Sequence, residues 1–386
     1  MEYLLEGITG LWNEPGRLVM MLIGCVLIFL AIKKGLEPAL LLPMGFGAIL
    51  VNLPLSGAID QLIGGTVNAN GIIEWLFEVG IEASEALPLL LFIGIGAMID
   101  FGPILANPKL MFFGAAAQVG IFLTIILAQF ISDVSPLNFA INDAASIGMI
   151  GAADGPTAIL VSQVLDSKYV GAIAVAAYSY MALVPIIQPL VMKACTTKKE
   201  RMIRMDYNPS SVSQTTKVIF PILVTVITGF IAPASVSLVG FLMFGNLLRE
   251  CGVLKTLTET ASNSLSNLIT LLLGITISFS MKAESFVKWD TLMIMGLGLA
   301  AFVFDTFGGI MLAKFVNLFT KKKINPLVGA AGISAFPMAS RVVQKVGLEA
   351  DPTNHLLMQA AGANVAGQIA SVIAGGVILG LVPGMM

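Results

Sequence analysis

Long apolar windows constrain the fold of this chain more than any other feature of its sequence. Many approach the roughly 20 residues that an α-helix needs to cross a bilayer. They fall near 17–33, 37–53, 84–104, 110–131, 169–192, 217–231, 233–249, 265–280, 290–317 and 354–384. The chain is 57% hydrophobic and only 11% charged, whereas soluble domains carry about 25% charged residues. We therefore expect an all-α, polytopic membrane protein without a soluble domain.

Two further stretches, 138–166 and 325–345, are apolar but are interrupted by Gly, Pro, Asn and charged residues. With them, the sequence predicts about ten to twelve membrane segments. Unwound backbone is tolerated at membrane depth only where it lines a cavity or is buried in protein. We therefore expect broken helices in these stretches, with their ends meeting near the midplane.

Internal similarity indicates a duplication. The first half contains GIGAMIDFGPIL, FGAAAQVG and GAADGPTAI, and the second contains GLGLAAFVFDTFGGIML, VGAAGISA and GANVAGQIA in the same order. This order pairs Asp100 with Asp305, Gly114 with Gly329 and Asp154 with Asn364. The predicted organisation is an N-terminal membrane segment (1–83), a first repeat (84–192), a cytoplasmic loop (193–216), connecting spans (217–289) and a second repeat (290–386).

The distribution of cations predicts the orientation. Lys and Arg residues between 193 and 204, and again at 321–323, mark cytoplasmic loops. If 138–166 crosses the membrane, an odd number of segments separates the Lys321 loop from its first-half counterpart at Lys109, so the repeats are expected to be inverted. This count places Lys33 and Lys34 on the outer side of the membrane, which disagrees with the preference of cations for the cytoplasmic side.

Asp154, in MIGAADGPTAILVSQV, is the residue that an ordinary membrane helix explains least. An ionised carboxylate in hydrocarbon costs several kcal/mol unless it is compensated. Gly155 and Pro156 follow at once and break the helix there. Because packing does not require a charge, we predict a functional role for Asp154.

Other hard oxygen ligands occur in the interrupted stretches. NPLVGAAGISAFP offers Asn325, Ser334 and carbonyls near Gly329, and GANVAG offers Asn364. Such oxygens around one carboxylate suit Na⁺ better than a soft transition metal. Hydrogen bonding between helices is the alternative for Asn and Ser, and close packing is the alternative for Gly.

Composition excludes other classes of site. The three cysteines are isolated and His355 is the single histidine, which argues against zinc sites and disulfides. A net charge of −2 gives no reason to expect nucleic acid as a partner.

Two further side chains have two interpretations each. Arg341 is either a positive-inside anchor or a bidentate clamp for a substrate carboxylate. Tyr180 packs in the core by default, but its hydroxyl needs a partner. Structural roles are expected for Asp100, which lies near the end of its window, and for Asp305.

Long motifs carry a family resemblance. NDAASIGMIGAADGPTAI, DTFGGIMLAKFVNLF, NPLVGAAGISAFPMASRVVQ and HLLMQAAGANVAGQIAS closely resemble the β subunits of sodium-pumping biotin-dependent decarboxylases, which act on oxaloacetate, methylmalonyl-CoA, glutaconyl-CoA or malonate. The resemblance runs from about Glu82 to the end of the chain. It implies a subunit of the bacterial cytoplasmic membrane that decarboxylates carboxybiotin and moves Na⁺ outward while consuming a proton.

The resemblance also implies site residues and partners. Asp154, Tyr180 and Arg341 would be catalytic, with Tyr180 and Arg341 binding carboxybiotin. The implied Na⁺ ligands are Asp154, Asn325, Gly329, Ser334 and Asn364. The implied partners are a biotin carrier, which bears the biotin, a carboxyltransferase, a small membrane-anchoring subunit and further copies of the chain. The residues alone leave open a Na⁺-coupled secondary transporter of an organic anion, and the acid that is decarboxylated is undetermined.

Overall fold

The computed structural model describes residues 9–35, 38–63, 66–83, 85–135, 137–205 and 212–385. The first half contains α1 (Pro15–Lys34), α2 (Pro38–Asn52), β1 (Asp60–Ile63), β2 (Thr66–Asn70), α3 (Ile72–Phe77), α4 (Ala86–Met98), α5 (Gly102–Ala106), α6 (Met111–Ala117), α7 (Val119–Val134), α8 (Ile141–Gly148), α9 (Gly155–Val164) and α10 (Val170–Cys195). The second contains α11 (Lys198–Arg201), α12 (Gln214–Ile231), α13 (Val236–Glu250), α14 (Lys255–Glu259), α15 (Ser266–Ile277), α16 (Ala283–Phe286), α17 (Trp289–Phe319), α18 (Pro326–Ala330), α19 (Met338–Ala350) and α20 (Leu357–Leu381). The two strands form one antiparallel hairpin.

Helix length and hydropathy confirm the all-α membrane class. Among the described residues, seven helical segments are long and apolar enough to span a membrane, and α3–α4, bent by 66°, supplies an eighth. The segments of this kind are Pro15–Lys34, Pro108–Val134, Val170–Cys195, Gln214–Ile231, Lys255–Met281, Trp289–Phe319 and Leu357–Gly384. Helices α2 and α13 are shorter, at 15 residues each.

Polar contacts between helix ends show that these ends lie at two opposite faces of the molecule. One, which we call the basic face, is formed by 193–205, 314–325 and 349–356. Lys193 pairs there with Glu349 at 2.8 Å, and Lys314 pairs with Glu200 at 3.1 Å. At the opposite face, formed by 137–143, 165–169 and 282–291, the Tyr169 hydroxyl bonds to the Asp290 carboxylate at 3.0 Å.

The remaining ends follow from their own contacts. Asn52, at the end of α2, donates to the Met281 carbonyl, so α2 ends at the opposite face. Lys217, at the start of α12, lies 3.5 Å from the Asp100 carboxylate at the basic face, which gives Asp100 the expected structural role. Four cations, at positions 17, 168, 282 and 288, lie at the opposite face. All other Lys and Arg residues lie at the basic face or closer to it than to the opposite face. The basic face is therefore cytoplasmic.

This orientation corrects the sequence count for the N-terminus. Arg17, in the first turn of α1, lies 3.8 Å from Glu284 at the opposite face. The helix begins with Pro15 and ends at Gly35 (φ 63°), and its 20 residues reach across the molecule. Lys33 and Lys34 therefore lie on the cytoplasmic side, where their charge is expected.

The two broken helices are re-entrant hairpins. In hairpin 1 (α8–α9), Asn142 at the start donates to the Leu165 carbonyl at the end, so the chain enters and leaves at the opposite face. In hairpin 2 (α18–α19), Asn325 at the start donates to the Arg201 carbonyl, and the end of the hairpin lies beside the same loop. Residues 138–166 therefore do not cross the membrane, and the odd count that used them as a span was wrong.

The Arg204–Asp351 pair fixes the loop beside hairpin 2. Arg204 Nη2 lies 2.9 Å from the Asp351 carboxylate. The Thr353 hydroxyl and backbone N–H also donate to this carboxylate, and with Arg204 they lower the pKa of Asp351 to about 2. The carboxylate is therefore charged at neutral pH and holds the loop against the end of hairpin 2.

The order of elements is the same in the two halves. The series α1, α2, α3–α4, α6–α7, hairpin 1 and α10 corresponds to α12, α13, α14–α15, α17, hairpin 2 and α20. Packing is reciprocal, because α4 packs on α13 and α2 on α15, while α6 packs on α20 and α17 on α10. The first series starts at the opposite face and the second at the cytoplasmic face. This order pairs hairpin 1 with hairpin 2, whereas the sequence paired Asp154 with Asn364. The order of elements favours an inverted repeat, which stays a prediction.

Candidate functional site

The tips of the two hairpins touch inside the molecule. The backbone N–H and the hydroxyl of Ser334, in the tip of hairpin 2, donate to the Ala152 carbonyl oxygen at 3.1 and 2.8 Å. Ala153 has a left-handed conformation (φ 52°), and Asp154 is extended and precedes the first turn of α9. The Asp-Gly-Pro sequence therefore ends one helix, turns the chain and starts the next at the point where the hairpins meet.

Asp154 is buried, with 3% of its surface exposed. Its Oδ2 accepts hydrogen bonds from the Thr157 hydroxyl (2.5 Å), the Gln368 amide (3.2 Å) and the Ser371 hydroxyl (3.4 Å). Within the described residues no Lys, Arg or His side chain forms an ion pair with it. Because the described part of the chain supplies dipoles but no counter-charge, a proton or a bound cation must neutralise this carboxylate.

A cavity of about 310 Å³ reaches Asp154 from the cytoplasmic side. Tyr178, Gln368 and Ser334 line its inner part beside Asp154. Residues from the cytoplasmic ends of α2, α4 and α14–α15 line its outer part. The site is therefore open to the cytoplasm in this conformation.

One wall of this cavity is polar. It is formed by Ser262, Asn263, Ser266, Asn267 and Thr270. These residues lie in and just after the π-helical turn Thr260–Leu265, a backbone irregularity that often occurs at functional sites. Polar side chains in an otherwise apolar helix offer hydrogen bonds to a bound molecule.

The tyrosine beside Asp154 is Tyr178. Its side chain is buried, its hydroxyl has no hydrogen-bond partner in the described part of the chain, and a Cβ on Gly155 would overlap its ring. The Tyr180 hydroxyl instead donates to the Met295 carbonyl, and Tyr180 is not among the cavity-lining residues. The catalytic and carboxybiotin-binding role of Tyr180 stays a prediction. The contacts of Tyr180 in the structure are those of a packing residue.

Asn325 and Gly329 lie away from the cavity. The Asn325 side chain accepts from the Leu327 N–H and donates to the Arg201 and Ile203 carbonyls, so it caps α18 and holds the cytoplasmic loop. A Cβ on Gly329 would overlap the backbone of Gly309, so this glycine permits α18 and α17 to cross closely. Their predicted role as Na⁺ ligands is untested, and these contacts support hairpin 2.

Asn364 supports the tip of hairpin 2. Its amide donates to the Ile333 carbonyl at 2.7 Å, one residue before Ser334. Its Oδ1 is buried and accepts no hydrogen bond from the described residues. This free oxygen keeps Asn364 a candidate ion ligand.

Arg341 lies in the first turn of α19 and is exposed. Its side chain forms no ion pair within the described residues. Met338, one turn earlier, lines the cavity. Arg341 is therefore exposed one turn beyond the cavity lining, and its predicted role stays a prediction.

Sequence reasoning missed Tyr178, Gln368, Ser371 and the polar wall. A signal existed for two of them, because Asn364, Gln368 and Ser371 recur at helical spacing and share one face of α20. That face carries polar groups through a span that is otherwise apolar.

Comparison with known proteins shows the family of the chain. Residues 16–382 match the family described as Na⁺-transporting oxaloacetate decarboxylase beta subunit. The chain is 48% identical to the methylmalonyl-CoA decarboxylase subunit beta of Propionigenium modestum, with 97% of each chain covered. It is 46% identical to the glutaconyl-CoA decarboxylase subunit beta of Acidaminococcus fermentans (96% and 94% covered) and 42% identical to the oxaloacetate decarboxylase beta chain of Klebsiella pneumoniae (98% of each covered).

The fold and site define a multi-pass membrane protein with a carboxylate at the meeting point of two re-entrant hairpins. The chain belongs to the family of Na⁺-transporting decarboxylase beta subunits. It is therefore a subunit of the bacterial cell membrane that couples decarboxylation to Na⁺ transport. The plain secondary transporter that the residues alone left open is not favoured.

Proposed function

We propose that this chain decarboxylates carboxybiotin presented by a partner subunit and uses the reaction to move Na⁺ out of the cell, with consumption of a proton. The observation that carries the proposal is Asp154, a buried carboxylate that has no counter-charge among the described residues and lies at the inner end of a cytoplasmic cavity. Such a group must bind a cation or a proton, and it can exchange one for the other as its surroundings change.

Na⁺ is the cargo of this site. Asp154, at the tip of hairpin 1, supplies the charge. Ser334 lies in the tip of hairpin 2, which contacts the tip of hairpin 1, and Asn364 lies beside the tip of hairpin 2. The helix break at Gly155 and Pro156 leaves carbonyl oxygens without intrahelical donors, and these can complete a shell of hard ligands. Asn325 and Gly329 act by holding hairpin 2 in place.

Carboxybiotin is the substrate of the cavity. Its ring nitrogen carries a carboxylate, and loss of CO₂ requires one proton at that nitrogen. The Asn263 and Asn267 amides suit a ureido ring, and Arg341 suits the carboxylate because its guanidinium offers two parallel donors. The tyrosine whose hydroxyl faces the bound substrate is, in this proposal, Tyr178, because it lines the cavity beside Asp154.

The partners follow from this chemistry. A biotin carrier must reach the cytoplasmic mouth of the cavity, and a carboxyltransferase must load it. A small membrane-anchoring subunit and further copies of this chain complete the proposed assembly. The carboxyltransferase selects the acid, so this chain does not determine it.

The test uses the complete decarboxylase complex in vesicles, with a radiolabelled carboxyl group on its biotin. We expect label to leave as CO₂ only when Na⁺ is present, together with Na⁺ movement across the membrane. Na⁺ movement driven by an organic anion, with the label retained on biotin, would instead indicate a secondary transporter.

A further inference from the structure

A second buried carboxylate, Asp305, lies deep in the molecule. Helix α17 is 31 residues long and Asp305 lies at its middle, with 1% of its surface exposed. Lys314, farther along the same helix, pairs with Glu200 at the cytoplasmic face. Asp305 is therefore near the membrane midplane, where water does not stabilise its charge.

Among the described residues, donors reach only one oxygen of Asp305. Oδ1 accepts the Ile121 backbone N–H at 3.2 Å. Oδ2 is buried and has no hydrogen-bond partner in the described residues. It faces Gly151 in the tip of hairpin 1, because a Cβ built there would lie 2.6 Å from Oδ2 and 2.9 Å from the Ala301 Cβ.

These surroundings determine what neutralises Asp305. Within the described residues it forms no ion pair. Asp133, Asp143, Lys193 and Cys195, on helices packed against α17, lie at the helix ends near the two faces. Tyr178 and Tyr180 lie on the adjacent helix α10, and Tyr180 bonds to Met295.

Asp154 is the remaining titratable group, three residues beyond Gly151 in the same hairpin. Because Oδ2 lies so close to the backbone of Gly151 that even one added carbon would overlap it, a proton fits between them and Na⁺ does not.

We propose that Asp305 is a second, proton-carrying site, which holds its proton while the tip of hairpin 1 covers Oδ2 and releases it when that tip moves. The tip that covers Asp305 also bears Asp154, so movement of one segment opens both carboxyl groups. For the fate of the proton this inference rests on the proposed function. The Asp305 carboxyl group loses H⁺, the N–CO₂⁻ group of carboxybiotin takes it up at nitrogen and releases CO₂, and the Asp305 carboxylate is reprotonated from the outer side.

Asp305→Asn separates this role from a structural one. The amide oxygen can still accept the Ile121 N–H, so folding should survive, but the side chain no longer exchanges a proton. In complexes reconstituted in vesicles, we expect Na⁺/Na⁺ exchange to stay within about twofold of wild type and carboxybiotin decarboxylation to fall by about a hundredfold, the scale of a lost proton donor. Undiminished decarboxylation, or equal loss of both activities, would overturn the proposal.

A hydrophobic carbodiimide gives a second, independent measurement, because it adds covalently to protonated carboxyl groups. During turnover, we expect mass spectrometry to find a label on Asp305 that increases as the pH falls and that Na⁺ does not suppress. A static carboxyl group would stay unlabelled, and protection by Na⁺ would make Asp305 a Na⁺ site; either result contradicts the proposal. Labelling of Asp154 that Na⁺ does not suppress would count against the proposed function instead.

Discussion

Ser334 donates both its backbone N–H and its hydroxyl to one oxygen, the carbonyl of Ala152, which is 182 residues away in the chain. This contact joins the tips of two hairpins that enter from opposite faces. Asp154 lies two residues beyond Ala152, so a shift of hairpin 2 reaches the carboxylate through a single contact. The junction is therefore the element through which ligand binding in the cavity can alter the ion site.

Ser334→Ala should weaken this junction without unfolding the protein. The variant keeps the backbone hydrogen bond and loses the hydroxyl, which costs about 1 kcal/mol. We expect the Na⁺ concentration for half-maximal decarboxylation to rise about fivefold, as that free energy implies. Ser162→Ala is the matched control, because the one described hydrogen bond of the buried Ser162 hydroxyl goes to the Ile159 carbonyl within its own helix. Equal shifts in the two variants would contradict a special role for the tip contact.

The break at Asp154 was predictable from sequence because three local signals coincide there. A charge in an apolar stretch, a glycine and a proline each oppose a continuous helix. The re-entrant path was not predictable, since it depends on two amides: Asn142 ties the start of hairpin 1 to its end, and Asn325 ties the start of hairpin 2 to the loop at Arg201. Interrupted apolar stretches of this length are compatible with either a crossing or a return.

The choice between Tyr178 and Tyr180 shows a second limit. The two residues are about 200° apart around α10. Because this helix is apolar all round, its sequence does not indicate which side faces the cavity. Donors to Asp154 were also hidden, since Gln368 and Ser371 come from the last helix of the chain.

Arg341→Lys should impair the use of carboxybiotin more than the binding of Na⁺. Lysine keeps the charge but loses the planar pair of donors that matches a carboxylate. We expect the KM for the carboxybiotin carrier to rise about tenfold, corresponding to roughly 1.4 kcal/mol, with Na⁺ half-saturation unchanged. Lys345→Gln, which removes an exposed charge one turn farther along α19, serves as the control. A variant in which both ligands lose affinity equally would remove the basis for the assignment.

Tyr178→Phe and Tyr180→Phe form a matched pair on one helix. Tyr178 lines the cavity and its hydroxyl has no hydrogen-bond partner within the described residues, so its loss should reduce the decarboxylation rate with little effect on stability. The Tyr180 hydroxyl bonds to the Met295 carbonyl, so its loss should lower stability by about 1 kcal/mol and leave the rate nearly unchanged. Rate measurements and thermal unfolding of both variants provide the comparison. The reverse pattern would support the sequence-based assignment of Tyr180.

Asp154→Asn is the most direct test of the coupling site. In the wild type, Na⁺ and H⁺ compete for one carboxylate, so a lower pH should raise the Na⁺ concentration needed for half-maximal decarboxylation. Asparagine preserves the shape of the side chain and an oxygen for the Thr157, Gln368 and Ser371 donors, but it removes the charge. A packing role would therefore survive the substitution, and a coupling role would not.

We expect the Asp154→Asn complex, reconstituted in vesicles with its partner subunits, to lose both Na⁺ uptake and carboxybiotin decarboxylation. Asp133→Asn is the control for removal of a carboxylate, since Asp133 is exposed at the outer end of α7. It should leave both activities intact. The two activities should disappear together because an uncharged residue 154 neither binds Na⁺ nor exchanges it for a proton. The transport cycle then cannot be completed. Near wild-type rates of both activities in Asp154→Asn would mean that the ion is neutralised elsewhere, and the coupling role would then have to move to another carboxylate of the membrane interior.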